Sequence, residues 1–222
     1  MTAETSATIP VELPSGSVDL PAAVGVPEGA WATLAIAHGA GAGKDHPFLV
    51  GFAAAIREAG VATVRFDFPY LAAGRKLPGP AAHAVTAWRA VVDFAAGLPG
   101  PLWAAGKSYG GRMASVAAAE GGFDVAGLVY LAYPLHPPGR PEKPRADHLP
   151  AIGHPQLFVS GENDPFIQPR EQFDEAVASC QDATVTWVPG AVHGFEVKGS
   201  KRPADEIGAA LADPVVAFIR AL

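Results

Sequence analysis

One cysteine in 222 residues, Cys180, excludes an intrachain disulfide and leaves too few thiolates for a cysteine-based zinc site. It follows Phe173 and Val177 in a helix-prone stretch, where a free thiol packs as a small hydrophobe. No apolar run approaches the ~18 residues that a membrane span requires, so no membrane partner is expected. Positive charge is also scarce. Sixteen Lys and Arg against 22 Asp and Glu give a formal net charge of −6, the wrong balance for a general affinity for nucleic acid or anionic lipid. A local basic patch is still compatible with that total. Met1 to Pro10 has neither a basic start nor an apolar stretch of the kind that directs export, so the expected location is cytoplasmic. There is no internal repeat and no long linker, and the length suits one domain spanning 1–222.

What the chain does have is 49% hydrophobic residues, arranged as short β-prone stretches alternating with Ala-rich helical ones. That alternation predicts a mostly parallel sheet with helices on both faces. Ala7–Leu13 and Val18–Val26 flank Pro14-Ser15-Gly16, which is turn chemistry for an antiparallel pair, and Pro10 restricts the first to an edge. Buried strands are expected at Thr33–Ala37, Val61–Phe66, Leu102–Ala105, Val125–Ala132, Gln156–Ser160 and Thr184–Val188. A helix should begin near Asp45 or His46, with Pro47 in its first turn and Gly60 past its end. Others are expected over Ala81–Ala96, where Arg89 and Asp93 are spaced for an i,i+4 pair, and over Arg170–Cys180. From Ala204 onward the tail reads as helical with a break at Asp213-Pro214. Between Tyr133 and Pro155 six prolines predict an ordered loop, too short for a folded cap, with one helical turn near Asp147 to Leu149.

Gly106-Lys107-Ser108-Tyr109-Gly110 fits Gly-x-Ser-x-Gly, in which a serine sits on a strained turn between strand and helix with its hydroxyl held above the sheet. The pentapeptide alone is weak evidence. Its context is better: a β-prone stretch ends just before it, and a helical one runs to about Ala119 after it. A serine hydroxyl needs a neighbouring base to become a nucleophile, and of seven histidines His193 fits, lying beyond the last predicted strand and before the final helix. Its orienting carboxylate is expected from Asp164 at the carboxyl end of Gln156–Ser160, with Glu162 as competitor. An oxyanion developing on the substrate needs two backbone N–H donors. Tyr109 should supply one and Ala40 the other, with Gly39 in reserve. Gly39, Lys107 and His136 are candidates for the pocket wall.

The run Gly39, Gly41, Gly43, Lys44 invites a nucleotide-binding reading, but Asp45 stands where a P-loop needs Ser or Thr, and Lys44 where a dinucleotide fingerprint needs a small residue. His136, His148 and His154 have no zinc-motif spacing, so no metal or other cofactor is expected. Asp67 and Arg75, flanking Phe68-Pro69-Tyr70, are candidates for a structural ion pair or for substrate contact.

Several segments together resemble a known group. They are His38-Gly39-Ala40-Gly41 with Asp45-His46-Pro47, Arg65 to Tyr70, Gly106 to Ser115, Tyr133 to Gly139, and the Asp164 and His193 segments. The chain is similar to the α/β-hydrolases related to dienelactone hydrolase, and most closely to the testis-expressed-type α/β-hydrolase-like proteins. The resemblance implies an α/β-hydrolase fold, with a mostly parallel sheet of about eight strands and no separate cap domain. It also implies a serine hydrolase, expected to be a carboxylesterase on small or medium acyl or aryl esters through an acyl-enzyme on Ser108. Dienelactone hydrolase itself carries a cysteine nucleophile, so its substrate does not transfer to a chain with Ser108. A catalytically silent scaffold and a small peptidase or amidase are the alternative readings.

Overall fold

Pro14 and Ser15 reverse the chain so tightly that Leu13 and Gly16 face each other across an antiparallel pair, β1 (Thr5–Leu13) and β2 (Gly16–Gly25). The computed structural model describes residues 3–222. β1 lies at the sheet edge, where Pro10 leaves no ladder bond unmade. β2 then pairs antiparallel with β4 (Val61–Phe66), and every later pairing is parallel. The remaining strands are β3 (Ala32–Ala37), β5 (Leu102–Lys107), β6 (Gly127–Leu131), β7 (Gln156–Gly161) and β8 (Ala183–Val188), in the order β1-β2-β4-β3-β5-β6-β7-β8.

β3 to β7 are buried almost throughout because both faces are covered. Ala35, Ala37, Tyr130 and Phe158 point into one core layer, against α3 (Ala81–Ala95) and α4 (Tyr109–Ala119), with Phe173 of α5 (Arg170–Ala178). Leu34, Ile36, Leu157 and Val159 point into the other, against α1 (Pro47–Glu58), α6 (Ala204–Ala209) and α7 (Ala212–Arg220). A short α2 (Pro69–Ala72), which the sequence reading did not anticipate, follows β4. β4 and β5 flank β3, so the chain winds one way from β3 to β4 and the other way to β5. A crevice opens at their carboxyl ends, where open α/β sheets bind ligands. Among the described residues no helix is long and apolar enough to cross a membrane.

Some local expectations shift. The C-terminal helix is interrupted at Ala210-Leu211 rather than at Asp213-Pro214. Pro214 falls in the first turn of α7, where a missing N–H costs nothing because first-turn donors have no helical partner. Arg89 does not pair with Asp93; it reaches across to the end of α4 and donates to Gly121 O at 2.7 Å and Gly122 O at 2.9 Å, carbonyls that lack partners of their own. Nor does Asp67 pair with Arg75, because its Oδ1 accepts the Lys44 N–H at 2.7 Å. The single turn in the proline-dense segment is a 3-10 turn at Leu149–Ala151.

Candidate active site

Ser108 closes β5 and opens α4 with φ 49° and ψ −112°, a conformation L-residues rarely adopt. Its neighbours enforce the strain. A Cβ on Gly106 would lie 2.2 Å from Gly111 N, and one on Gly110 would lie 2.6 Å from His38 O, so only glycine permits the turn to close this tightly. The Ser108 N–H donates to Leu131 O at 2.8 Å, and the Trp88 indole donates to Gly110 O at 3.0 Å, pinning the turn from β6 and from α3.

Two loops meet beside it. After β7 the chain turns through Glu162, Asn163 and Asp164, and the loop after β8 presses directly onto that turn. A Cβ on Gly161 would stand 2.4 Å from Ala191 O, and the Asn163 N–H donates to the same carbonyl at 2.8 Å. Glu162 accepts the Gly190 N–H at 3.0 Å and is thereby turned away. Asp164, fully buried, accepts the Phe166 N–H on Oδ1 and the His193 ring on Oδ2, both at 2.8 Å. His193 Nε2 lies 2.9 Å from Ser108 Oγ. With Nδ1–H donated to the carboxylate, Nε2 is the free acceptor for the serine proton. The Phe166 ring stacks on the imidazole at 3.9 Å between centroids, and Lys107 Nζ donates to the His193 carbonyl at 3.0 Å. Burial lowers the Lys107 ammonium from 10.5 to about 8, against the opposing charges of Asp164 and Glu196.

The loop after β3 forms the opposite wall. His38 is buried at its base, with Nδ1 donating to Gly39 O at 2.8 Å and Nε2 accepting the Phe68 N–H at 3.1 Å. Burial holds its pKa below 6.5, and those two bonds need a neutral ring. His46 caps α1 by accepting the Phe48 N–H at 3.3 Å.

A cavity of about 340 Å³ opens over Ser108 and His193. Gly39, Ala40, Lys107 and Tyr109 border it, together with the apolar Leu49, Pro134 and Phe166. Asp164 stands behind His193, outside the wall. Burial pushes the Tyr109 phenol up to about 12, with the Arg112 charge opposing. The pocket expectation for His136 is corrected: its side chain folds inward beneath the proline-dense segment, fully buried, with Nδ1 donating to Pro137 O at 2.8 Å and its N–H to Phe166 O at 3.1 Å. In its place the segment contributes Arg145, and α4 contributes Arg112. Arg145 carried no signal in the sequence, and Phe166 carried none beyond its closeness to Asp164. Among the described residues no group of three or more His, Cys, Asp or Glu side chains is placed to hold a metal ion.

The strand order, the paired helical layers and the strained serine at the end of β5 together define the α/β-hydrolase fold. A family described as the alpha/beta hydrolase domain matches residues 30–220, and the chain belongs to it. Solved structures agree on the fold. The chain is similar to dienelactone hydrolase from Anabaena variabilis, at 22% identity and a TM-score of 0.75 over 98% of both chains. It is similar to an α/β serine hydrolase without lid from Xanthomonas campestris, at 24% identity and a TM-score of 0.71 over 96% of this chain and 94% of that one. It is also similar to Est1E from Butyrivibrio proteoclasticus with ferulic acid bound, at 19% identity and a TM-score of 0.72 over 96% and 99%.

Proposed function

We infer that this hydrolase is a serine carboxylesterase, acting on small or medium acyl or aryl esters through an acyl-enzyme on Ser108. The observation that carries the reading is the unbroken chain of contacts from Ser108 Oγ to His193 Nε2 at 2.9 Å and from His193 Nδ1 to Asp164 at 2.8 Å, at the floor of an open cavity. Ser108 Oγ attacks the ester carbonyl carbon while its proton passes to His193 Nε2. The tetrahedral oxyanion is held by the N–H groups of Tyr109 and Ala40, with Gly39 as the alternative donor. Tyr109 is the first residue of α4, so its N–H has no helical partner and sits at the positive end of the helix. When the carbon–oxygen bond to the alcohol breaks, the imidazolium returns its proton to the leaving oxygen. Water, deprotonated by the same imidazole, then releases the acid and restores Ser108. No cofactor enters these steps.

The cavity volume lies near the lower end for small-molecule sites, which favours compact substrates. Est1E, on the same fold, holds the aryl acid ferulic acid, in keeping with an aryl or acyl group of that size. Within the family we place the chain with the testis-expressed-type proteins, on the Gly106-to-Ser115 and Tyr133-to-Gly139 motifs, as a cytoplasmic protein whose residues 1–222 form one domain. A fluorophosphonate probe should label the wild type and not Ser108→Ala. The same variant should lose roughly 10³- to 10⁶-fold in kcat on p-nitrophenyl butyrate. A folded wild type that neither labels nor hydrolyses the ester would overturn the reading.

A further inference from the structure

Arg112 lies one turn into α4, its N–H donating to Ser108 O at 3.0 Å, and it lines the cavity. Its Nε is buried and has no hydrogen-bond partner among the described residues. Arg145 reaches the same cavity from the proline-dense segment, whose backbone is built to hold it there: the Arg145 N–H donates to Leu135 O at 2.7 Å, and the buried Tyr133 hydroxyl donates to Arg145 O at 2.8 Å. The fold's buried arginines, Arg57 and Arg65, share the Glu4 carboxylate. Arg112 and Arg145 have no such counter-charge. Among the described residues no carboxylate lies within ion-pair distance of either. No Asp or Glu borders the cavity, although the chain as a whole is acidic. The third cation on the wall, Lys107, is already committed to the His193 carbonyl.

Two like charges sharing a partly desolvated space repel each other; burial and the Arg145 charge together depress the Arg112 pKa. Such an arrangement is costly when empty and favourable when an anion sits between the two forks, which match a carboxylate bidentately. We propose that Arg112 and Arg145 clamp a carboxylate of the substrate, so that the ester hydrolysed at Ser108 is a monoester of a short dicarboxylic acid or an equivalent carboxylate-bearing ester. This rests on the hydrolase reading for its reaction, though not for its binding site. The cavity of about 340 Å³ limits that diacid to a compact one.

The test is calorimetric titration of Ser108→Ala with monomethyl glutarate and with dimethyl glutarate. The monoanion should bind at least about tenfold more tightly than the neutral diester, as expected when a charged hydrogen-bonded pair is worth roughly 1.5–3 kcal/mol. Adding Arg112→Gln or, separately, Arg145→Gln should bring that ratio toward one, and Arg112→Lys should restore part of it. Because Arg145 stands on a loop, its variant remains informative if Arg112→Gln fails to fold. Raising NaCl should weaken the monoanion alone. Equal affinity for monoester and diester in the parent, or a preference that survives both Gln variants, would overturn the proposal. Binding is read without turnover, so failure of the clamp and failure of Ser108 to label are separate results.

Discussion

Lys107 spends its charge in a place that does not favour charge. Set beside the stacked rings of Phe48 and Phe195, with Nζ 5.1 and 5.4 Å from their centroids, it donates to the His193 carbonyl and titrates near 8 instead of 10.5. Because the folded value is the lower one, the unfolded chain binds one more proton between about pH 8 and 10.5. Native stability therefore rises with pH across that window, and the full burial penalty applies below it. Comparing the wild type with Lys107→Met by urea denaturation at pH 7 and pH 9.5 should show the wild type gaining on the variant as pH rises. A difference that stays constant would contradict the Lys107 assignment. The neighbouring residues show what a sequence can reveal at this scale. Ser108 and His193 stand in short patterns whose chemistry is local: the glycines at 106 and 110 are required by backbone lying within 3 Å of where a side chain would start. Arg145 is different. It is one basic residue among prolines, brought to the cavity by a hydroxyl twelve positions earlier in the chain, and nothing around it in sequence marks that contact. His136 was misplaced for the converse reason, since a histidine next to two prolines resembles an exposed loop and instead packs under one.

Between elements, the tightest seam in the structure is glycine against backbone where α1 meets α6. A Cβ on Gly208 would lie 2.0 Å from Phe48 O, and one on Gly51 would lie 2.0 Å from Asp205 O. This contact also positions α1, whose Leu49 borders the cavity and whose Phe48 stacks on Phe195 at 5.9 Å. Gly208→Ala should therefore destabilise by about 1–3 kcal/mol, beyond any gain in helix propensity, and should reduce hydrolase activity by moving α1; thermal unfolding with an activity assay measures both. An unchanged melting temperature would mean the two helices can part at no cost. Strands were the most legible elements, because apolar runs such as Val61–Phe66, bounded by glycine or proline, have few other fates. The C-terminal helices were less so. Proline suggested the break, whereas the turn at Ala210-Leu211 is set by how α6 and α7 each reach the sheet-side core through Ile207, Val215 and Ile219, a tertiary constraint with no local mark.

Across the whole molecule, one carboxylate near the start of the described chain ties distant parts together. Glu4 accepts from Arg57 at 2.6 Å and from Arg65 Nη2 at 2.6 Å, joining the leading hairpin to α1 and β4. Burial alone would push its pKa up, but the hydrogen bonds and charges of Arg65 and Arg57 outweigh that and hold it below 4.5. Its contribution is therefore present above pH 4.5 and disappears as pH falls through the lower, folded value. Glu4→Gln should cost roughly 1–3 kcal/mol at pH 7, since it leaves two buried guanidiniums short of counter-charge, and the gap to wild type should close in acid; denaturation at the two pH values decides it.

The stretch from Tyr133 to Pro155 carries a last consequence. Stiffened by proline and fastened at Arg145, it is built as a fixed rim and not as a flap, so arriving molecules should meet a site already in its working shape. Throughput would then be governed by bond making and breaking rather than by a moving cover, and selectivity would come from what the rim admits rather than from what it closes around.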